Sequence, residues 1–222
     1  MALSDEFPIW DKLSEEHRRR ILDASEKRSV KRGTVLHDSG TDCMGLLLVE
    51  RGQLRAYLLS EEGREVTICR VFPRDICLFS ASCVMPNMQF DIFVEAEKDS
   101  DVWIIPACLY RELMEQSLPL AVYSYDLMAN HLTEVRWRME QILWKSFDKR
   151  LAAFLLEESR LEDNGSLKIT HEKIANHLGT AREVVTRMLR YFQNEGMVRL
   201  TRGTVELTDL PRLERMGEEA HF

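Results

Sequence analysis

The sequence predicts an α+β chain: an all-β roll or sandwich, then one long helix, then a helix-turn-helix closed by a hairpin. Three observations carry this. Turn residues punctuate the first half at Gly33, Gly40, Gly52, Gly63 and Pro73, separating short apolar runs, which is the texture of an all-β domain. Tyr125, Met128, Leu132, Val135, Met139 and Ile142 step alternately by three and four residues, the signature of a helix with an apolar seam. Gly179 and Gly196 bracket an amphipathic stretch that runs into two alternating segments. At 222 residues the chain can bury two cores. The expected division is 1–117 for the β domain with flanking helices, 118–146 for the long helix and 147–222 for the terminal domain.

Taken in order, residues 9–27 read as helical, with Ile9, Leu13, Ile21 and Leu22 among charged neighbours. Residues 45–49 lead through Glu50, Arg51 and Gly52 into 53–59, and residues 60–63 turn into 65–71. Phe93–Ala96 and Asp101–Ile105 complete the β set. In the long helix an a/d stripe of this regularity favours a two-helix seam, here a homodimer interface, although the same helix can also pack on its own β domain. Asp148–Leu161 is a further helix, followed by a turn over residues 162–166.

Thr170 is the expected N-cap of a short helix over residues 172–178, and Gly179 supplies the positive φ of a tight inter-helix turn. A second helix runs from Thr180 or Ala181 to Asn194. At 100° per residue, Ala181, Val185, Met188, Leu189 and Phe192 share an arc of about 100°, while Arg182, Glu183, Thr186, Arg187 and Arg190 share another of about 140°. The second arc has the donors and acceptors that read base edges: Arg for guanine, Glu for cytosine, and Thr for a thymine methyl or a phosphate. It also fits a solvated face on which Glu183 pairs with Arg187 at i,i+4. The hairpin that follows, residues 197–201 and 204–207 about Arg202 and Gly203, tips the reading toward a winged helix-turn-helix with a basic tip for phosphates.

Charge agrees with this. The chain carries a net −7, yet between Ser166 and Gly203 seven basic residues face three acidic ones, the asymmetry of a protein with one phosphate-seeking face. The chain has no apolar run of membrane-spanning length, and its first residues are acidic where a leader would be basic, so a cytoplasmic protein with no membrane partner is expected. Cys43, Cys69, Cys77, Cys83 and Cys108 form no zinc-type pair. Neither a nucleophile elbow, a P-loop, a dinucleotide fingerprint nor an HExxH motif occurs, and the six histidines stand apart from any nucleophile motif. The expectation is therefore not an enzyme.

The run ITHEKIANHLGTAREVVTR over residues 169–187 resembles the DNA-binding motif of the CRP/FNR family of bacterial transcription regulators. The resemblance extends over nearly the whole chain: a cyclic-nucleotide-binding-like β-roll, a dimerisation helix and a winged domain. That family's recognition helix carries R-E-x-x-x-R or E-x-x-S-R and reads a TGA-type half-site. Arg182, Glu183, Thr186 and Arg187 satisfy the first pattern and approximate the second. The resemblance implies that Arg182 and Arg187 read guanine and Glu183 cytosine, with Thr170 and His171 on phosphates and Thr180 and Arg202 completing the DNA-binding set. It further implies a homodimer on double-stranded DNA bearing an inverted repeat, with RNA polymerase as a partner.

The effector is another matter. Nucleotide-binding members carry G-E-[LI] and a following Arg-[ST]-Ala. Here Arg74 and Asp75 replace the Gly and Glu, Gln89-Phe90-Asp91 stands where the Arg belongs, and residues 75–110 hold no arginine. A buried cyclic phosphate would go unpaired, so cyclic AMP is not expected. No cysteine precedes Cys43, so the family's iron-sulfur cluster is not expected, and no haem ligand maps onto His37, Met85 or Met88. The cofactor is unknown. The expected pocket for a small-molecule effector is Cys77, Leu78, Phe79, Ser80, Ala81, Ser82 and Cys83 with Met88 and Phe90. Cys77 and Cys83 fit two buried apolar side chains or a thiol redox pair. A ligand-binding module whose winged domain makes protein contacts is the alternative from another class.

Overall fold

The computed structural model describes residues 3–38, 45–79 and 92–218. The chain divides into two compact units, Met1–Leu59 with Ile68–Val135, and Ser60–Thr67 with Arg136–Phe222. The architecture is α+β, as the turn spacing predicts.

In the first unit, β1 (Glu26–Val30), β8 (Ser100–Ile105), β3 (Leu46–Arg51) and β6 (Ile76–Cys77) form one sheet in that order. The second sheet runs β2 (Val35–His37), β7 (Ile92–Ala96), β4 (Leu54–Leu59), β5 (Glu65–Val71). The unbroken run Leu46–Val49 is explained by burial on both faces, since successive strand residues point opposite ways. Leu47 and Val49 enter the roll's core with Leu54, Val94 and Val102. Leu46 and Leu48 instead meet α1 (Leu3–Glu6), α2 (Glu15–Ala24) and α3 (Ala107–Gln116) through Leu3, Ile21, Tyr110 and Leu113.

The helix expected over residues 9–27 is shorter. A single 3-10 turn spans Trp10–Lys12, Ser14 caps α2 by accepting from the His17 amide at 3.2 Å, and α2 ends at Ala24. Residues 26–30 pair with β8 in antiparallel register, Glu26 opposite Ile104. Their charged side chains carry no strand period, so only the distant partner reveals the strand.

The long helix α4 runs Leu118–Trp144. Near its start Ser124 donates to the Leu120 carbonyl at 2.8 Å and meets the Tyr110 hydroxyl at 2.8 Å. Burial pushes the Tyr110 phenol up to about 12. The expected seam splits between two faces of α4. Tyr125, Leu132, Met139 and Ile142 are exposed, whereas Met128 and Val135 are half-buried and Val135 packs on the roll's core. The exposed apolar line is instead Leu118, Val122, Tyr125, Leu132, Met139 and Leu143, with Ala129 and Arg136 at the intervening steps.

In the second unit, α5 (Phe147–Leu161), α6 (His171–Leu178), α7 (Arg182–Asn194) and α8 (Leu210–Glu218) surround one core with a small sheet, β10 (Val198–Thr201), β11 (Thr204–Leu207) and β9 (Ser166–Leu167). Ser166, expected in a turn, begins β9 and pairs with Glu206. Among the described residues no helix is long and apolar enough to cross a membrane.

Candidate nucleic-acid interface

Local sequence builds the two-helix unit. Thr170 Oγ1 accepts from the Lys173 amide at 3.1 Å and caps α6. Gly179 ends α6 at φ 64°, ψ 45°, a left-handed conformation that costs a side-chain-bearing residue about 1–2 kcal/mol. A Cβ there would also lie 2.4 Å from Val66 Cγ2. Two separate constraints therefore require glycine. Thr180 lies in the turn, its amide bonded to the Ala175 carbonyl at 3.1 Å, and α7 begins at Arg182 with Ala181 as a cap that offers no side-chain acceptor. Val185, Leu189 and Phe192 are fully buried and Met188 packs partly against them, which sets the rotation of α7.

That rotation turns Arg182, Glu183, Arg187 and Arg190 outward. Among the described residues no ion pair joins Glu183 to Arg187, so the i,i+4 pair that the spacing allows does not form. The guanidinium forks and the carboxylate stand available to an outside partner. Thr186 is differently placed. Its hydroxyl donates to the Arg182 carbonyl at 2.9 Å and lies 2.9 Å from His171 Nδ1. Having spent its one proton on the carbonyl, the hydroxyl accepts from His171, whose Nδ1 therefore carries the hydrogen. The His171 pKa is lowered, first by burial and then by the positive charges of Arg182 and Arg190.

The wing completes the surface. Thr201 pairs with Thr204 across the tip formed by Arg202 and Gly203, the latter at φ 74°. Arg199 is held by Glu206 at 3.1 Å, while Arg202 is exposed. Gln193 Oε1 accepts from the Leu200 amide at 3.1 Å, tying the wing to α7. Between wing and helices opens a cleft of about 480 Å³ lined by Thr170, His171, Glu172, Arg182, Thr201 and Thr204. The structure thus brings Thr170, His171 and Arg182 into one cleft and leaves Glu183 and Arg187 on the open face beside it. Thr201, Thr204 and Glu172 were not foreseen, because their place depends on how the hairpin packs against α6.

Of the expected effector pocket, Cys77 is fully buried in the roll's core, Leu78 is half-buried, and Phe79 is buried with its ring 4.9 Å from that of His131. Ser80, Ala81, Ser82, Cys83, Met88 and Phe90 lie outside the described residues. Arg74, which the resemblance sets at the family's glycine position, adopts a left-handed backbone at φ 74°. Its guanidinium donates to the Asp5 carbonyl at 2.9 Å. Two buried arginines elsewhere in the roll are held in ion pairs, Arg55 to Glu95 at 2.8 Å and Arg70 to Glu97 at 3.0 Å. His37 is buried, and desolvation lowers its pKa.

Comparison with known proteins agrees with both units. Residues 27–117 match the cyclic nucleotide-binding domain family, and residues 149–216 match the Crp-like helix-turn-helix domain family. The cyclic AMP receptor protein of Thermus thermophilus is 26% identical over 214 residues, covering 95% of this chain and 96% of that one. The anaerobic regulatory protein of Aggregatibacter actinomycetemcomitans is 27% identical over 197 residues, covering 84% of this chain and 74% of the relative. The crystal structure of a CRP/FNR-family regulator from Eubacterium rectale superposes with a TM-score of 0.94 at 53% identity, covering 96% of this chain and 99% of that one. With an exposed basic helix face, a wing beside it and this likeness along its length, the chain belongs to the CRP/FNR family of transcription regulators, which are DNA-binding proteins and not enzymes.

Proposed function

We propose that the chain works as a homodimer on an inverted repeat of TGA-type half-sites, one helical turn between their centres, and answers to a small-molecule effector other than cyclic AMP. The observation that carries this is the outward face of α7, where Arg182, Glu183 and Arg187 are exposed and not paired with one another. In this reading Arg182 and Arg187 bond guanine, Glu183 accepts from cytosine, and the Thr186 methyl meets thymine while its hydroxyl stays with His171. Thr170, His171, Thr180 and Arg202 meet the phosphate backbone, His171 through an Nε2–H that it carries once the phosphate's charge favours the protonated ring. Dimerisation covers the exposed line on α4, which a single copy leaves in water. RNA polymerase is the further partner in this reading, and the cytoplasm the site of action.

The reading without cyclic AMP rests on Arg74 at the glycine position and on the buried arginines Arg55 and Arg70, which are engaged with carboxylates. Full-length protein used to select from random duplexes tests the function. Recovery of a two-fold repeat, with discrimination lost in Arg187→Ala, supports it; enrichment without symmetry, or full discrimination by Arg187→Ala, refutes it. Calorimetric titration with cyclic AMP is expected to show no binding.

A further inference from the structure

Three side chains that the DNA-binding reading does not use meet inside the first unit. Cys69 lies on β5, and His131 and Glu134 lie on α4, three residues apart and so on one face of that helix. A sulfur, a ring nitrogen and a carboxylate oxygen from these residues all lie within 4.8 Å of one another. His131 Nδ1 is 3.5 Å from Glu134 Oε2. Both ring nitrogens of His131 are shielded from solvent, yet among the described residues neither has a hydrogen-bond partner. An imidazole always has at least one N–H to donate and, when neutral, one lone pair to offer, so burying both without partners is costly. The Phe79 ring, 4.9 Å away, closes one side of the imidazole. Glu134 is 53% exposed and can swing.

We propose that Cys69, His131 and Glu134 bind a divalent transition metal of the zinc class, and that this metal is a regulatory input to the protein. The regulatory half rests on the DNA-binding reading above; the binding half does not. A thiolate, an imidazole and a carboxylate together favour zinc or cobalt over magnesium or calcium, which take oxygen ligands. Bonds of about 2.0–2.3 Å to a tetrahedral ion place the ligand atoms roughly 3.3–3.8 Å apart. The His131–Glu134 separation already has that value, and Cys69 and His131 close the rest by small rotations. On binding, the Cys69 thiol loses its proton to solvent and its thiolate takes one position. Three protein ligands leave the fourth position to water or an outside donor, as in open rather than purely structural sites. The ion would bridge β5 to the helix that carries Leu132 on its exposed apolar line, so occupancy bears on the dimer seam.

Metal-stripped full-length protein titrated with cobalt(II) tests the binding half. The expected result is one equivalent per chain, with visible d–d bands and a near-ultraviolet thiolate-to-cobalt band that zinc bleaches. Cys69→Ser loses the thiolate band, and His131→Gln binds roughly 100-fold more weakly, since even outer-shell changes cost up to that much. Glu134→Gln, at an exposed position that does not threaten folding, weakens binding by about tenfold or more. No thiolate band, a band unchanged in folded Cys69→Ser, or unchanged affinity in Glu134→Gln overturns the site. For the regulatory half, affinity for the selected DNA is measured with and without zinc. A change of about tenfold in wild type but not in Cys69→Ser supports it. Equal affinities with the cobalt spectrum intact overturn regulation alone, and absence of any DNA binding with that spectrum intact overturns the DNA reading and leaves the metal site standing.

Discussion

Single residues carry more than one duty in this chain, and Gly179 shows it most plainly. Its left-handed backbone and the 2.4 Å at which an added Cβ would meet Val66 Cγ2 are separate demands, so Gly179→Ala is expected to lower stability by about 2–4 kcal/mol in urea unfolding. Adding Val66→Ala recovers only the steric share, because the backbone strain stays. His171 provides a pH test. Its pKa in the folded chain lies below the ordinary value because burial and neighbouring arginines disfavour the charged form. The unfolded chain therefore takes up the proton more readily, and stability is full above about pH 6.5 and falls as the pH drops below it. His37, lowered by burial, acts in the same direction. Urea midpoints should fall between neutral pH and about pH 5, and the His171 ring resonances should titrate below the ordinary value; a midpoint that rises on acidification contradicts this. The positive φ of Gly179 was readable from its place after a short amphipathic helix. The His171–Thr186 bond was not, because it joins two helices whose facing angle no local pattern states.

At the scale of the element, α4 shows what periodicity reports and where it stops. The three-and-four stepping correctly marks a long helix, yet it merges two adjacent stripes. Val135 packs on the chain's own roll and Met128 is half-buried, while Tyr125, Leu132 and Met139 are exposed. Both stripes are apolar because both are covered in use, one by the roll and the other, in our reading, by a second copy. The two faces should respond differently. Leu132→Glu, with the native side chain 70% exposed, is expected to give a folded monomer by sedimentation with weakened operator binding. Val135→Ala is expected to cost about 1–2 kcal/mol of stability and to leave the dimer intact. A dimeric Leu132→Glu would exclude this seam. Strand β1 is the opposite case. Its residues carry no apolar period, and only the register with β8 makes them a strand.

For the whole molecule, net charge and function pull in opposite directions. A chain of net −7 approaches a polyanion through a locally basic surface, and α7 with the wing carries Arg182, Arg187, Arg190, Arg199 and Arg202. Binding should weaken steeply with salt, and Arg202→Ala should reduce the slope of log affinity against log salt by about one while leaving sequence preference unchanged. An unchanged slope would remove Arg202 from the phosphate contacts. The sequence by itself determined the class of the fold, the helix-turn-helix, and which helix face carries Arg182, Glu183 and Arg187. These depend on period, turn chemistry and residue type, all of which are local. Tertiary structure alone decided that Glu183 leaves Arg187 unpaired, that Thr201 and Thr204 join Thr170 in one cleft, and that Cys69 meets His131 and Glu134. The last two depend on distances between elements far apart in sequence, which packing sets; the first is a choice of side-chain rotamer on α7 that the i,i+4 spacing permits but does not force.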